Sequence, residues 1–117
     1  MLPSISNSLI LSRPELANAL GAIRNWVIQH PYADYIPPKS LAKNSDRVEP
    51  FELATALNEL VKLGIFQQRY RLETVDGQIL QQSFHSPSAI PDTIEDDFDS
   101  RISKDDCKIV SVYEEVP

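Results

Sequence analysis

The chain has 117 residues, 42% of them hydrophobic, which suits one compact domain or a small domain with an appended element and argues for a packed core rather than disorder. A single cysteine, Cys107, excludes an intramolecular disulfide and any four-cysteine metal site, and the sequence holds no apolar run of about 18 residues, the length a membrane-crossing helix needs. The net charge of −6 is uneven: residues 1–72 carry eight basic and six acidic side chains and residues 73–117 carry three basic and eleven acidic, so the C-terminal part repels phosphate backbones over a screening length of about 8 Å.

Residues 1–11, MLPSISNSLIL, have no basic segment and only a short apolar run, so no signal peptide is expected and a reducing, cytoplasmic setting fits. Ser12-Arg13-Pro14-Glu15 reads as a helix start, with Ser12 as the cap and Glu15 closing a capping box. Leu16, Ala19, Leu20, Ile23, Trp26 and Val27 recur at three- and four-residue spacing, which predicts a helix near 13–30 that buries this stripe and stops at Pro31. Gly21 inside it suggests a close approach of another element, since glycine costs about 1 kcal/mol relative to alanine in a helix interior.

After a loop at Tyr32–Tyr35, Pro37-Pro38 opens a short helix over 38–43, with Leu41 and Ala42 inward. Asn44-Ser45-Asp46 is a turn. Glu49-Pro50 starts a third helix over 50–63, with Leu53, Ala56, Leu57, Leu60 and Val61 buried and Gly64 as a left-handed stop. Ile65 to Thr74 then alternates, Phe66, Tyr70 and Leu72 on one face and Gln67, Arg69, Arg71 and Glu73 on the other. Asp76-Gly77 is a hairpin turn, so 65–84 is expected to be a hairpin with Gln78–Phe84 as its returning strand. Beyond it lie a loop with Ile90 as a plug, an acidic run Asp92–Asp99 broken by Ile94 and Phe98, a capped turn at Ser103-Lys104-Asp105-Asp106, and a terminal strand over 108–114 antiparallel to the hairpin.

Residues 36–72, with an initial Pro-Pro-x-x-Leu-Ala turn and a helix ending Leu-x-x-Leu-Val-x-Leu-Gly-Ile-Phe, resemble the prokaryotic winged helix-turn-helix domain. Residues 70–113 resemble the zinc-ribbon-like tails that follow winged helices in some bacterial proteins of conflict and stress systems. In the metal-binding tails cysteine pairs occupy the two knuckles; here those positions read Thr74-Val75-Asp76-Gly77 and Glu95-Asp96-Asp97-Phe98. A structural zinc takes about four thiolate or imidazole ligands, and this chain has only Cys107, His30 and His85. The resemblance therefore implies a degenerate ribbon without metal. The expected architecture is α+β: a winged helix of three helices plus a hairpin wing in residues 1–84, with an acidic, ribbon-like β and loop extension in 85–117.

Two functions compete for such a chain. A DNA-reading third helix should present Arg, Lys, Asn, Gln or Ser near its N-terminus, yet this one begins Glu49-Pro50-Phe51-Glu52. Lys39, Lys43, Arg47, Arg69 and Arg71 are the basic residues that a nucleic-acid face would use. A protein contact would use Phe51 with Tyr32 and Tyr35, unless Phe51 folds back as a staple on the second helix. The acidic run lacks the spacing of a calcium loop, His30 reads as a cap of helix-end carbonyls, and neither a nucleophile elbow nor a phosphate-binding glycine loop is present. The sequence thus favours a non-enzymatic interaction or adaptor module of a bacterial cytoplasm, with a protein partner, no cofactor, no metal and no membrane contact. The alternative is a winged-helix DNA-binding transcriptional regulator.

Overall fold

Ser6 opens the first helix, its hydroxyl accepting the Leu9 N–H at 3.1 Å. The computed structural model describes residues 5–45, 47–95 and 100–116. It is a mixed α+β chain that divides into two compact units, one of residues 1–67 with 113–117 and one of residues 68–112.

In the first unit, α1 (Asn7–Ser12) is followed by a 3₁₀ turn (Pro14–Leu16) and then α2 (Ala17–Gln29). The helix expected from residue 13 thus begins at Ala17. Proline disfavours helical geometry in the residue before it, and Arg13 accordingly leaves the helix at φ −129°, ψ 67°. Ser12 is not a cap; it closes α1, its hydroxyl donating to the Leu9 carbonyl at 2.7 Å. The buried stripe of α2 is Ala19, Leu20, Ile23, Trp26 and Val27, with Leu16 buried just ahead of it. His30 ends α2 before Pro31, its N–H donating to the Trp26 and Val27 carbonyls.

α3 (Pro38–Lys43) buries Leu41 but leaves Ala42 exposed, not inward. α4 (Pro50–Lys62) buries Leu53, Ala56, Leu57 and Leu60. Gly64 follows at φ 74°, and the bonds Gly64 N–H to Val61 O and Ile65 N–H to Leu60 O, both 3.0 Å, close a Schellman motif. These helices share one core with Ile5, Ile36, Phe66 and Tyr113.

β1 (Phe66–Glu73) pairs with the last strand, and a separate antiparallel pair joins two short strands, β2 (Thr93–Glu95) and β3 (Arg101–Ser103). The last strand is β4 (Lys108–Glu115). In the second unit the turn at Thr74–Gly77 forms as expected, with Gly77 at φ 84° and its N–H on the Thr74 carbonyl at 2.9 Å. The returning arm is not a regular strand. It meets β1 at Glu73–Ile79, through Leu80 N–H to Leu72 O at 2.9 Å, and again at Tyr70–Phe84. Between these points Gln81, Gln82 and Ser83 stand opposite Arg71 alone, an extended bulge that interrupts the ladder. A second core, separate in sequence from the first, gathers Leu72, Leu80, Phe84, Ile90 and Ile94. Ile90 is therefore the plug expected of it, and Ile94, which breaks the acidic run, is buried in the same cluster, whereas residues 96–99, Phe98 among them, lie outside the described residues.

Candidate interaction surface

Proline at the first position of α3 and again of α4 starts each helix where its missing N–H costs nothing. Glu49 occupies the cap position of α4 without a side-chain bond, and Glu52 lies in the first turn, where the helix dipole favours a carboxylate. This charge pattern stabilises the helix and opposes phosphate at the same end.

The outward stripe of α4 runs Phe51, Ala54, Thr55, Asn58 and Lys62, all exposed. Phe51 is 79% exposed, so it does not fold back as a staple. The Thr55 hydroxyl donates to the Phe51 carbonyl at 2.9 Å, a local bond within the helix. α3 and α4 part to leave a cleft of about 270 Å³, which Phe51 does not line. Its lining is almost wholly apolar: Pro38, Leu41 and Ala42 from α3, Pro50, Leu53, Ala54 and Leu57 from α4, and Tyr113, with Lys39 at its edge. Tyr113 is held there by β4, whose backbone pairs with Ile36 just ahead of α3.

The other expected contact residues are placed less closely. Tyr32 is 96% exposed on the loop after α2, Tyr35 is half-buried, and neither lines the cleft. Lys39 and Lys43 on α3 and Arg47 on the following turn are exposed. The two arginines of β1 are engaged. Arg69 donates through Nε to the Ser83 hydroxyl at 3.1 Å and through Nη2 to the Ser83 carbonyl at 2.9 Å. Arg71, expected on the outer face of the strand, is only 6% exposed and donates to the Leu80 carbonyl at 3.3 Å. The bulge opposite Arg71 accounts for this: Arg69 reaches Ser83 inside it, and Arg71 reaches the carbonyl of Leu80 at its edge.

A second groove, of about 690 Å³, runs along α2 past Asn18, Gly21, Asn25 and Trp26 to Arg47 on the turn after α3. Gly21 borders this open groove: nothing lies within 4 Å of where its Cβ would be, so the close approach expected there does not occur. Trp26 forms part of the wall, its indole N–H donating to the Ser40 hydroxyl at 3.2 Å and its ring stacked on His30 at 4.0 Å. The His30 ring also meets the Trp26 carbonyl through Nδ1 at 2.7 Å, the capping role expected of it.

Cys107 is half-buried, and burial first, then the neighbouring Asp106 carboxylate, pushes its thiol pKa upward. Among the described residues no group of three or more His, Cys, Asp or Glu side chains is arranged to hold a metal ion, and no helix is long and apolar enough to cross a membrane.

The cleft was beyond the reach of periodicity. Ala42 and Ala54 are small residues at outward positions, and that is its one local signal; Tyr113 comes from the far end of the chain. No match was found to any protein-family model, curated protein or solved structure.

Proposed function

We propose that this chain is a non-enzymatic protein-interaction module of winged-helix type, in which α2, α3 and α4 form the helical part and the Phe66–Phe84 arm the wing. The ribbon-like segment after it acts as a metal-free extension. The observation that carries the reading is the apolar α3–α4 cleft, lined by the same helix α4 that leaves Phe51 exposed. Contact energy concentrates where an aromatic anchor sits next to a desolvated pocket. The cleft is smaller than the roughly 300–1,000 Å³ of small-molecule sites, which favours a protein side chain as its guest.

The regulator reading keeps one observation in its favour, the exposed Lys39, Lys43 and Arg47 on α3 and its turn. Against it stand Glu49 and Glu52 at the reading end of α4 and the engagement of Arg69 and Arg71 within their own unit.

Affinity capture from host extract with wild-type and Phe51→Glu chains side by side separates the two readings, together with a DNA mobility assay at about 0.15 M salt. The interaction reading expects a protein retained by the wild type and lost with Phe51→Glu. Micromolar DNA binding that survives this substitution, with no Phe51-dependent protein, would overturn it.

A further inference from the structure

In a β-strand the backbone N–H and C=O groups of successive residues turn to opposite edges. The last residues of β4 tell its two edges apart. The Tyr113 N–H and C=O both bond to Ile36, whereas the Val116 N–H bonds to the Ile65 carbonyl, on the side of β1. Ile109 and Ser111 therefore turn their backbone groups to the same edge as Tyr113, away from β1. On the other side Gln68 of β1 donates to the Ser111 hydroxyl at 2.7 Å, which fixes the strand in place. Among the described residues no strand pairs with the outer edge between Lys108 and Val112, a stretch that lies within the second unit. Folded proteins guard such edges with lysine, proline or a bulge. After Lys108 this one reads Ile109-Val110-Ser111-Val112, uncharged and mostly β-branched, with Ile109 43% exposed.

We propose that this edge takes an extended segment of a partner protein as an added strand. Ile109 and Ser111 each present one N–H donor and one carbonyl acceptor at strand spacing, and the partner that matches them is another extended backbone. At about 3.4 Å per residue, the stretch from Lys108 to Val112 accommodates a segment of about five residues. The exposed Ile109 side chain selects among such segments, favouring a β-branched or aromatic residue opposite it. Proline is excluded where the segment faces the edge, because its missing N–H would leave a carbonyl of Ile109 or Ser111 unpaired. This stretch shares no residue with the lining of the α3–α4 cleft, so the proposal does not depend on that surface.

Amide hydrogen exchange on the isotope-labelled full chain tests the open edge first. Ile109 and Ser111 should exchange at least about tenfold faster than Val110 and Val112, whose N–H groups face β1. A random linear peptide library displayed on phage is then selected against the full chain, and the enriched peptides are synthesised. Adding them should slow exchange at Ile109 and Ser111. Ile109→Pro deletes an N–H that faces away from β1, so it spares the pairing with β1 and should weaken the peptides about three- to tenfold, the weight of one backbone bond. Ile109→Lys, which keeps the backbone and guards the edge with charge, should weaken them as well. Phe51→Glu should leave them unchanged. Protection of Ile109 and Ser111 equal to that of Val110 in the free chain, the absence of any enriched peptide, or peptides that bind without slowing these two amides overturns the proposal. Protection that grows with the concentration of the chain alone assigns the edge to a second copy and overturns it equally. None of these results bears on the capture comparison with Phe51→Glu, so the two readings fail separately.

Discussion

Ile36 and Tyr113 exchange both backbone hydrogen bonds, Ile36 N–H to the Tyr113 carbonyl at 2.7 Å and Tyr113 N–H to the Ile36 carbonyl at 3.1 Å. This link ties the last strand to the segment that leads into α3 and sets the Tyr113 side chain as a wall of the cleft. Tyr113→Ala keeps the backbone pairing but removes a buried aromatic, and large-to-small changes of this kind cost about 3–5 kcal/mol. Urea denaturation should show a loss of that order, and a variant within about 0.5 kcal/mol of wild type, the spread of ordinary surface changes, would contradict the placement.

Gly21 is the cheapest place to stabilise the chain. It sits inside α2, and the space around its missing Cβ is open. Gly21→Ala should add about 1 kcal/mol and raise the thermal midpoint by a few degrees. Destabilisation would mean that the groove beside it closes on something in the folded chain.

Gly64 is the opposite case. At φ 74° it takes the left-handed turn that ends α4, where a Cβ costs about 1–2 kcal/mol. Gly64→Ala should therefore destabilise although the surrounding space is open. Equal stability of wild type and variant in thermal melts would show that the turn relaxes.

Arg71 makes the most specific structural claim. Its guanidinium meets the Leu80 carbonyl across the bulge and is shielded from solvent. Arg71→Met fills similar space without the donor, and a buried acceptor that loses its partner costs about 1–3 kcal/mol. Hydrogen exchange should report faster opening in the Gln78–Phe84 arm. Unchanged protection there would place Arg71 outside the fold's support and return it to the set of free surface cations.

Cys107 supplies a pH test. Its thiol titrates above the ordinary range, through burial and then through Asp106, so less thiolate is present at neutral to mildly alkaline pH than in a free peptide. Alkylation should be slower than for a model thiol at pH 8. It should quicken in Asp106→Asn, which removes the repulsive charge but not the burial. A rate equal to the model thiol, unaffected by the substitution, would contradict the assignment.

What could be read ahead of the structure was local. The helical stripes of α2 and α4, the Gly64 stop and the turn at Gly77 follow from period and turn chemistry. The break at Arg13 was also encoded, in Pro14, but Ser12 and Glu15 read as a capping box and placed a helix start there. The remainder depends on distant pairing. An alternating strand pattern places Arg71 outward, and only the three-residue bulge opposite it explains burial. The cleft needs Tyr113 brought to α3, a contact that no short window of sequence contains.

The most direct measurement places a photo-crosslinking benzoylphenylalanine at position 51 and, as a control, at Val75, which is 87% exposed in the other unit. The full chain is irradiated in living cells. An interaction surface at α3–α4 predicts a discrete protein adduct from position 51 and none from position 75. No adduct from position 51, or the same adducts from both positions, would contradict it.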